Sequence, residues 1–137
     1  MKTHEYFIEK CIDLAKQGIQ NVSPNPMVGS IIVYNNEIIG QGYHEKCGSN
    51  HAEVNAINSV KDKSLLEKAT LYVNLEPCCH HGKTPPCTDV IIKNKIPKVV
   101  IGCKDSYSEV SGNGIKVLKN NSVEVLHGVL ENKCKEL

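Results

Sequence analysis

His51, Glu53, Cys78 and Cys87 are the residues whose types and spacing can do chemistry. One imidazole and two thiolates are borderline-to-soft donors suited to Zn²⁺, and three protein ligands leave one tetrahedral position open. An open position separates a catalytic zinc, which holds a water, from a structural zinc closed by four side chains. Glu53 follows His51 by two residues and is the group to move protons for such a water.

The stretch Glu76-Pro77-Cys78-Cys79-His80-His81 offers more donors than one ion can use. Consecutive side chains seldom reach one ion without strain, which favours Cys78, directly after Glu76-Pro77, and Cys87, which opens the next helix. Cys79 and His81 then fall outside the ligand set. The structural alternative is a closed Cys₃His or Cys₂His₂ knuckle that recruits Cys79 or His80.

The elements that must position these residues can be read in order. Phe7, Ile8, Cys11, Ile12, Leu14 and Ala15 recur at helical spacing within residues 4–17, with Gly18 as a stop. Pro24 and Pro26 stiffen a loop that presents Asn25, although Asn25 is equally a simple turn residue. Runs at 28–34 and 37–43 flank Asn35-Asn36 as a β-hairpin, and Gly40 and Gly42 point to a bulge or a close backbone approach. Residues 51–60 read as a short buried helix with His51 and Glu53 in its first turn, where the macrodipole favours an anionic Glu. A capped helix start explains the same triplet without any metal.

Further on, 70–75 is a strand ended by Glu76-Pro77, and Pro85-Pro86 opens a helix with Cys87 at its N-terminus, where a thiol pKa is lowered. Residues 98–103 and 122–126 are strands around a helix over 112–121, which implies parallel crossovers, and the tail 129–137 reads as frayed or packed on the outside. The predicted fold is α/β, with one mixed five-stranded sheet between helices on both faces and the metal loop at one end of the sheet.

Composition narrows the function classes. The 137 residues make one domain, expected over 1–137, with no internal repeat or linker. No apolar run approaches the ~18 residues of a membrane span and no signal-peptide pattern is present, so the cytoplasm is the expected compartment. Seven Cys, an odd number in such a chain, favour metal or catalytic thiols over a disulfide framework, with Cys11, Cys47, Cys103 and Cys134 read as packing residues. The formal net charge is only +1, which argues against a nucleic-acid partner. All 16 basic residues are Lys, so phosphate recognition must use Lys, His, hydroxyls or backbone amides.

The order His-x-Glu, Pro-Cys and then Cys is a signature of zinc-dependent base deaminases. More narrowly, Pro24-Asn25-Pro26-x-Val28-Gly29, His51-Ala52-Glu53-Val54 and Glu76-Pro77-Cys78-x-His80-x-Gly82-Lys83-Thr84-Pro85-Pro86-Cys87 resemble the RibD family of riboflavin biosynthesis deaminase domains, over essentially the whole chain. Eight residues separate Cys78 from Cys87, where most of the wider superfamily has two. The resemblance implies the cytidine deaminase-like three-layer α/β/α fold and hydrolysis of 2,5-diamino-6-ribosylamino-4(3H)-pyrimidinone 5′-phosphate to the 5-amino-6-ribosylamino-pyrimidinedione phosphate and ammonia. It also implies His51, Cys78 and Cys87 as zinc ligands, Glu53 as proton shuttle, and Asn25, His44, His80, Lys83, Thr84 and Asp105 as substrate contacts.

Without Arg, Lys83 is the foremost phosphate candidate, its bland reading being a solvated loop lysine. The sequence departs from the family pattern at Cys79, where Ser is usual, and at Asp105-Ser106-Tyr107-Ser108, where Asp-Pro-Asn-Pro is usual. A C-terminal reductase domain, frequent in relatives, is not expected here, so reduction would fall to a separate protein or this is an excised domain. The superfamily resemblance suggests a homodimer or tetramer. Rival readings are another zinc deaminase, acting on tRNA adenosine, cytidine, deoxycytidylate or guanine, and a non-catalytic zinc-binding module.

Overall fold

Thr3 starts the first helix, its hydroxyl accepting from the Tyr6 amide at 3.1 Å and satisfying one of the orphan donors of the first turn. The computed structural model describes residues 1–18, 27–45, 50–78, 86–104 and 112–137. Helix α1, His4–Lys16, buries the predicted stripe Phe7, Ile8, Cys11, Ile12, Leu14 and Ala15. Strands β1, Gly29–Tyr34, and β2, Glu37–Tyr43, form the expected hairpin. Asn35 and Asn36 carry it with φ of 51° and 65°, the left-handed pair that a two-residue turn of matching twist requires.

Helix α2, Ala52–Ser59, leads through a 3₁₀ helix over Lys63–Lys68 to strand β3, Thr70–Leu75. Helix α3, Cys87–Lys93, strand β4, Lys98–Cys103, helix α4, Asn113–Asn120, strand β5, Glu124–His127, and helix α5, Glu131–Lys135, complete the order. The sheet runs β2-β1-β3-β4-β5, antiparallel across the first two pairings and parallel across β3/β4 and β4/β5. This is the mixed five-stranded sheet that the pattern predicts.

Two cores hold the layers. Ala56 and Ile57 of α2, Ile91 of α3, and Ile115 and Leu118 of α4 pack with Ile32, Val73, Val99 and Ile101. On the other face Phe7, Ile8 and Ile12 of α1 and Cys134 of α5 pack with Ile31, Tyr72 and Val100. Both glycine expectations hold. The β1/β2 register shifts between Ile32 and Val33, and a Cβ on Gly40 would lie 2.5 Å from Val60 Cγ2.

Two details differ from the sequence reading. Ser122, with φ 66°, still belongs to the turn that ends α4, so β5 begins at Glu124 and reaches His127. The tail forms α5 with Cys134 buried, its sulfur resting where a Cβ on Gly102 would be only 2.3 Å away. Lys133 also pairs with Glu9 of α1. Cys11, Cys103 and Cys134 are buried thiols, as packing residues should be. No helix of the described residues is long and apolar enough to cross a membrane.

Candidate active site

His51 is the N-cap of α2, in extended conformation at φ −68° and ψ 162°, one residue before the first turn in which the pattern placed it. Its side chain makes no cap hydrogen bond. Nδ1 lies 3.7 Å from Cys78 Sγ and 3.3 Å from Cys87 Sγ. Cys78 follows the end of β3, and Cys87 is the first residue of α3. Thus a helix cap, a strand end and a helix start converge, all at the same end of the sheet.

The three ligand atoms lie within 4.8 Å of one another, and among the described residues no fourth His, Cys, Asp or Glu joins them. With Zn–S near 2.3 Å and Zn–N near 2.05 Å, tetrahedral geometry requires S···N separations of about 3.6 Å. The observed 3.7 and 3.3 Å bracket that value, so the donor set fits zinc.

The electrostatics suit thiolate ligation. A hydrogen bond from the Cys87 thiol, helped by His51, holds Cys78 down to about 4 against the cost of burial. The same hydrogen bond, with burial, pushes the Cys87 thiol up. His51 is raised, first by its hydrogen bond with Cys78 and despite burial. Glu53, 3% exposed, is raised to about 7, chiefly by desolvation, and its carboxyl is within hydrogen-bonding reach of the Cys87 thiol. Burial disfavours the charged carboxylate. Glu53 therefore stands beside the donors without being one of them.

His44 is also buried, its Nδ1 3.2 Å from the Asn50 carbonyl and its ring edge-on to His51 with centroids 5.5 Å apart. It walls the His51 imidazole. The other expected substrate contacts, Asn25, His80, Lys83, Thr84 and Asp105, lie outside the described residues, as do Cys79, His81 and Tyr107.

Motif reading missed three supporting residues. Asn55 Nδ2 donates to the carbonyls of Tyr43 and Asn50, tying α2 to the end of β2. Asn74 accepts from the Gly29 amide at 2.8 Å and donates to the Met27 carbonyl at 3.1 Å. Glu76, treated only as a strand terminator, accepts from two amides at the start of α4. A polar residue inside an apolar strand run was the available signal for Asn74.

A family model, the cytidine and deoxycytidylate deaminase zinc-binding region, matches residues 1–103. The chain belongs to this deaminase family. The chain is 49% identical over 131 residues to the riboflavin biosynthesis protein RibD of Actinobacillus pleuropneumoniae, covering 96% of this chain and 34% of that protein. A shorter relative, the diaminohydroxyphosphoribosylamino-pyrimidine deaminase of Buchnera aphidicola, is 44% identical over 131 residues, covering 96% of this chain and 88% of the relative.

The solved structure of Acinetobacter baumannii RibD superposes with a TM-score of 0.93 at 41% identity, over 98% of this chain and 37% of that one. The bifunctional deaminase and reductase of Thermotoga maritima gives 0.91 at 48% identity, over 97% of this chain and 38% of that one. The chain thus spans about a third of the RibD relatives' length and has their three-layer cytidine deaminase-like fold. The predicted resemblance holds.

Proposed function

We propose that this deaminase hydrolyses the ring amine of 2,5-diamino-6-ribosylamino-4(3H)-pyrimidinone 5′-phosphate. A C–O bond forms as the C–N bond breaks, giving 5-amino-6-ribosylamino-pyrimidinedione 5′-phosphate and ammonia. The observation that carries the reading is the buried Glu53 beside the His51, Cys78 and Cys87 donors, in a chain whose Buchnera relative of matching length bears the name of that deaminase. His51, Cys78 and Cys87 hold the zinc. When bound, zinc makes hydroxide accessible near neutral pH by acidifying a water.

The chain's own groups do the rest. Glu53, free of ligation, takes one proton from the attacking water and gives it to the ring nitrogen, then passes the proton of the newly added hydroxyl to the amine, which leaves as ammonia. His44 keeps the His51 ring in place and closes the pocket wall. Asn25, His80 and Asp105 are assigned to the ring and ribose, and Lys83 with Thr84 to the phosphate, which no Arg can bind in this chain. We further assign the enzyme to the cytoplasm, as a homodimer or tetramer, with its product passing to a reductase of the kind named in the Thermotoga protein.

The test is ammonia release by the zinc-loaded chain, offered the ribosylaminopyrimidine phosphate, cytidine, deoxycytidylate and guanine in parallel. Turnover of the first alone is expected. Turnover of another base with none of the first overturns the assignment.

A further inference from the structure

Glu76 lies just past β3 and is 4% exposed. Its Oε1 accepts from the Gly112 amide at 3.0 Å and its Oε2 from the Ile115 amide at 3.1 Å. Gly112 is the N-cap of α4, with φ 82°, and has no side chain to cap the helix itself. Two of the orphan donors at that helix start are therefore satisfied by a carboxylate 36 and 39 positions away in the chain. The anion also meets the positive end of the helix dipole.

A second, independent fit joins the same two segments. A Cβ on Gly114 would fall 2.3 Å from the Pro77 carbonyl oxygen and 3.2 Å from Glu76 Cγ. Only glycine lets α4 press this closely on the Glu76-Pro77 backbone. The Glu76 amide is fixed too, donating to the Cys103 carbonyl at 2.9 Å. Glu76-Pro77 is thus gripped at its amide, its carboxylate and its following carbonyl, and the next residue is Cys78.

We propose that Glu76, seated on the first turn of α4, is a positioning residue for the Cys78 sulfur, so that α4 sets the zinc affinity of the site without supplying a ligand. The inference rests on Cys78 as a ligand and not on the identity of the pyrimidine.

Glu76→Gln keeps the shape but replaces one acceptor by an N–H₂ that must face an N–H donor. The zinc Kd, measured by competition with a chromophoric chelator, is expected to rise about 10- to 100-fold, as when an outer partner of a metal ligand is lost. In the cobalt-substituted protein the thiolate-to-metal absorption band should shift. Gly114→Ala, which leaves the carboxylate but displaces the Pro77 carbonyl, should weaken zinc in the same sense and serves if Glu76→Gln fails to fold. Ile8→Ala, in α1 on the opposite face of the sheet, lowers Tm while leaving zinc affinity and the cobalt spectrum unchanged.

Zinc Kd values within about threefold of wild type in both variants overturn the inference, well short of what a lost outer partner costs. So does an Ile8→Ala chain that loses zinc as readily at equal loss of Tm. A wild-type chain that binds no zinc overturns this inference and the ligand assignment together. Because the readout is metal affinity, a wild type that binds zinc but releases no ammonia from the pyrimidine counts against the substrate alone.

Discussion

The main-chain N–H of Cys87 donates to the Cys78 sulfur at 3.3 Å. The Cys78 carbonyl in turn accepts from the Thr88 amide at 3.1 Å, so the first turn of α3 grips the end of β3 through backbone groups. A sulfur that accepts from an amide and a thiol is stabilised as thiolate, the form a metal needs. The two sulfurs are thereby held together by more than the ion they would share.

Replacing either sulfur should empty the site. Cys78→Ser and Cys87→Ser are each expected to lose most of the zinc, read as metal per chain by atomic emission, while far-UV circular dichroism stays close to wild type. A Cys87→Ser chain with stoichiometric zinc would remove that residue from the ligand set. Chelation of the wild type should abolish ammonia release, and added zinc should restore it. Because ligation requires deprotonated donors, zinc should also dissociate progressively as pH falls.

Glu53→Gln should keep stoichiometric zinc, since Glu53 is not among the clustered donors. Its turnover should fall by about 10²- to 10⁴-fold, the usual worth of a positioned acid–base group. A near-native rate of ammonia release would contradict the shuttle assignment.

Gly42→Ala tests how α2 is seated. A Cβ there would lie 2.6 Å from the Ala56 amide nitrogen, which is backbone and cannot swing aside. The helix must move off β2, at about 1–3 kcal/mol for overpacking. Since α2 carries Glu53 and is capped by His51, activity should fall along with Tm in thermal denaturation. A variant with wild-type Tm and activity would show that the helix seat is soft.

Tyr72 supplies a pH dependence away from the metal. Its hydroxyl lies 2.7 Å from His4 Nδ1, and its ring packs against Phe7 with centroids 4.9 Å apart. Burial first, and then the Cys11 charge, push the phenol up to about 12. A folded value above the unfolded one of about 10 means the phenol binds its proton more tightly in the native state. Its contribution is thus complete below about pH 10 and lost as pH rises towards 12. Ultraviolet difference titration should show a late ionisation step that Tyr72→Phe lacks.

Much of the fold was legible because it is written locally. The stripe from Phe7 to Ala15 specifies α1, and Asn35-Asn36 specifies the hairpin, through spacing and backbone preference alone. Helix α5 was not legible. Five mostly polar residues, Glu131–Lys135, fold there because Cys134 finds room over Gly102 and Lys133 finds Glu9, partners more than thirty residues away. The 3₁₀ helix, Lys63–Lys68, has its Asp62 cap but too short a period to stand out.

At the site, chemistry and geometry divide cleanly. Residue types alone named one imidazole, two thiols and a carboxylate as zinc-hydrolase parts, because few other side chains bind and acidify in that way. Their separations of 27 and 36 positions from His51 say nothing about distance. The sheet order, the glycine seats under α2 and α4, and the amide and carboxylate hydrogen bonds around Cys78 bring the donor atoms to within 4.8 Å. Coordination depends on ångström separations between three elements, and only close packing of those elements can set them.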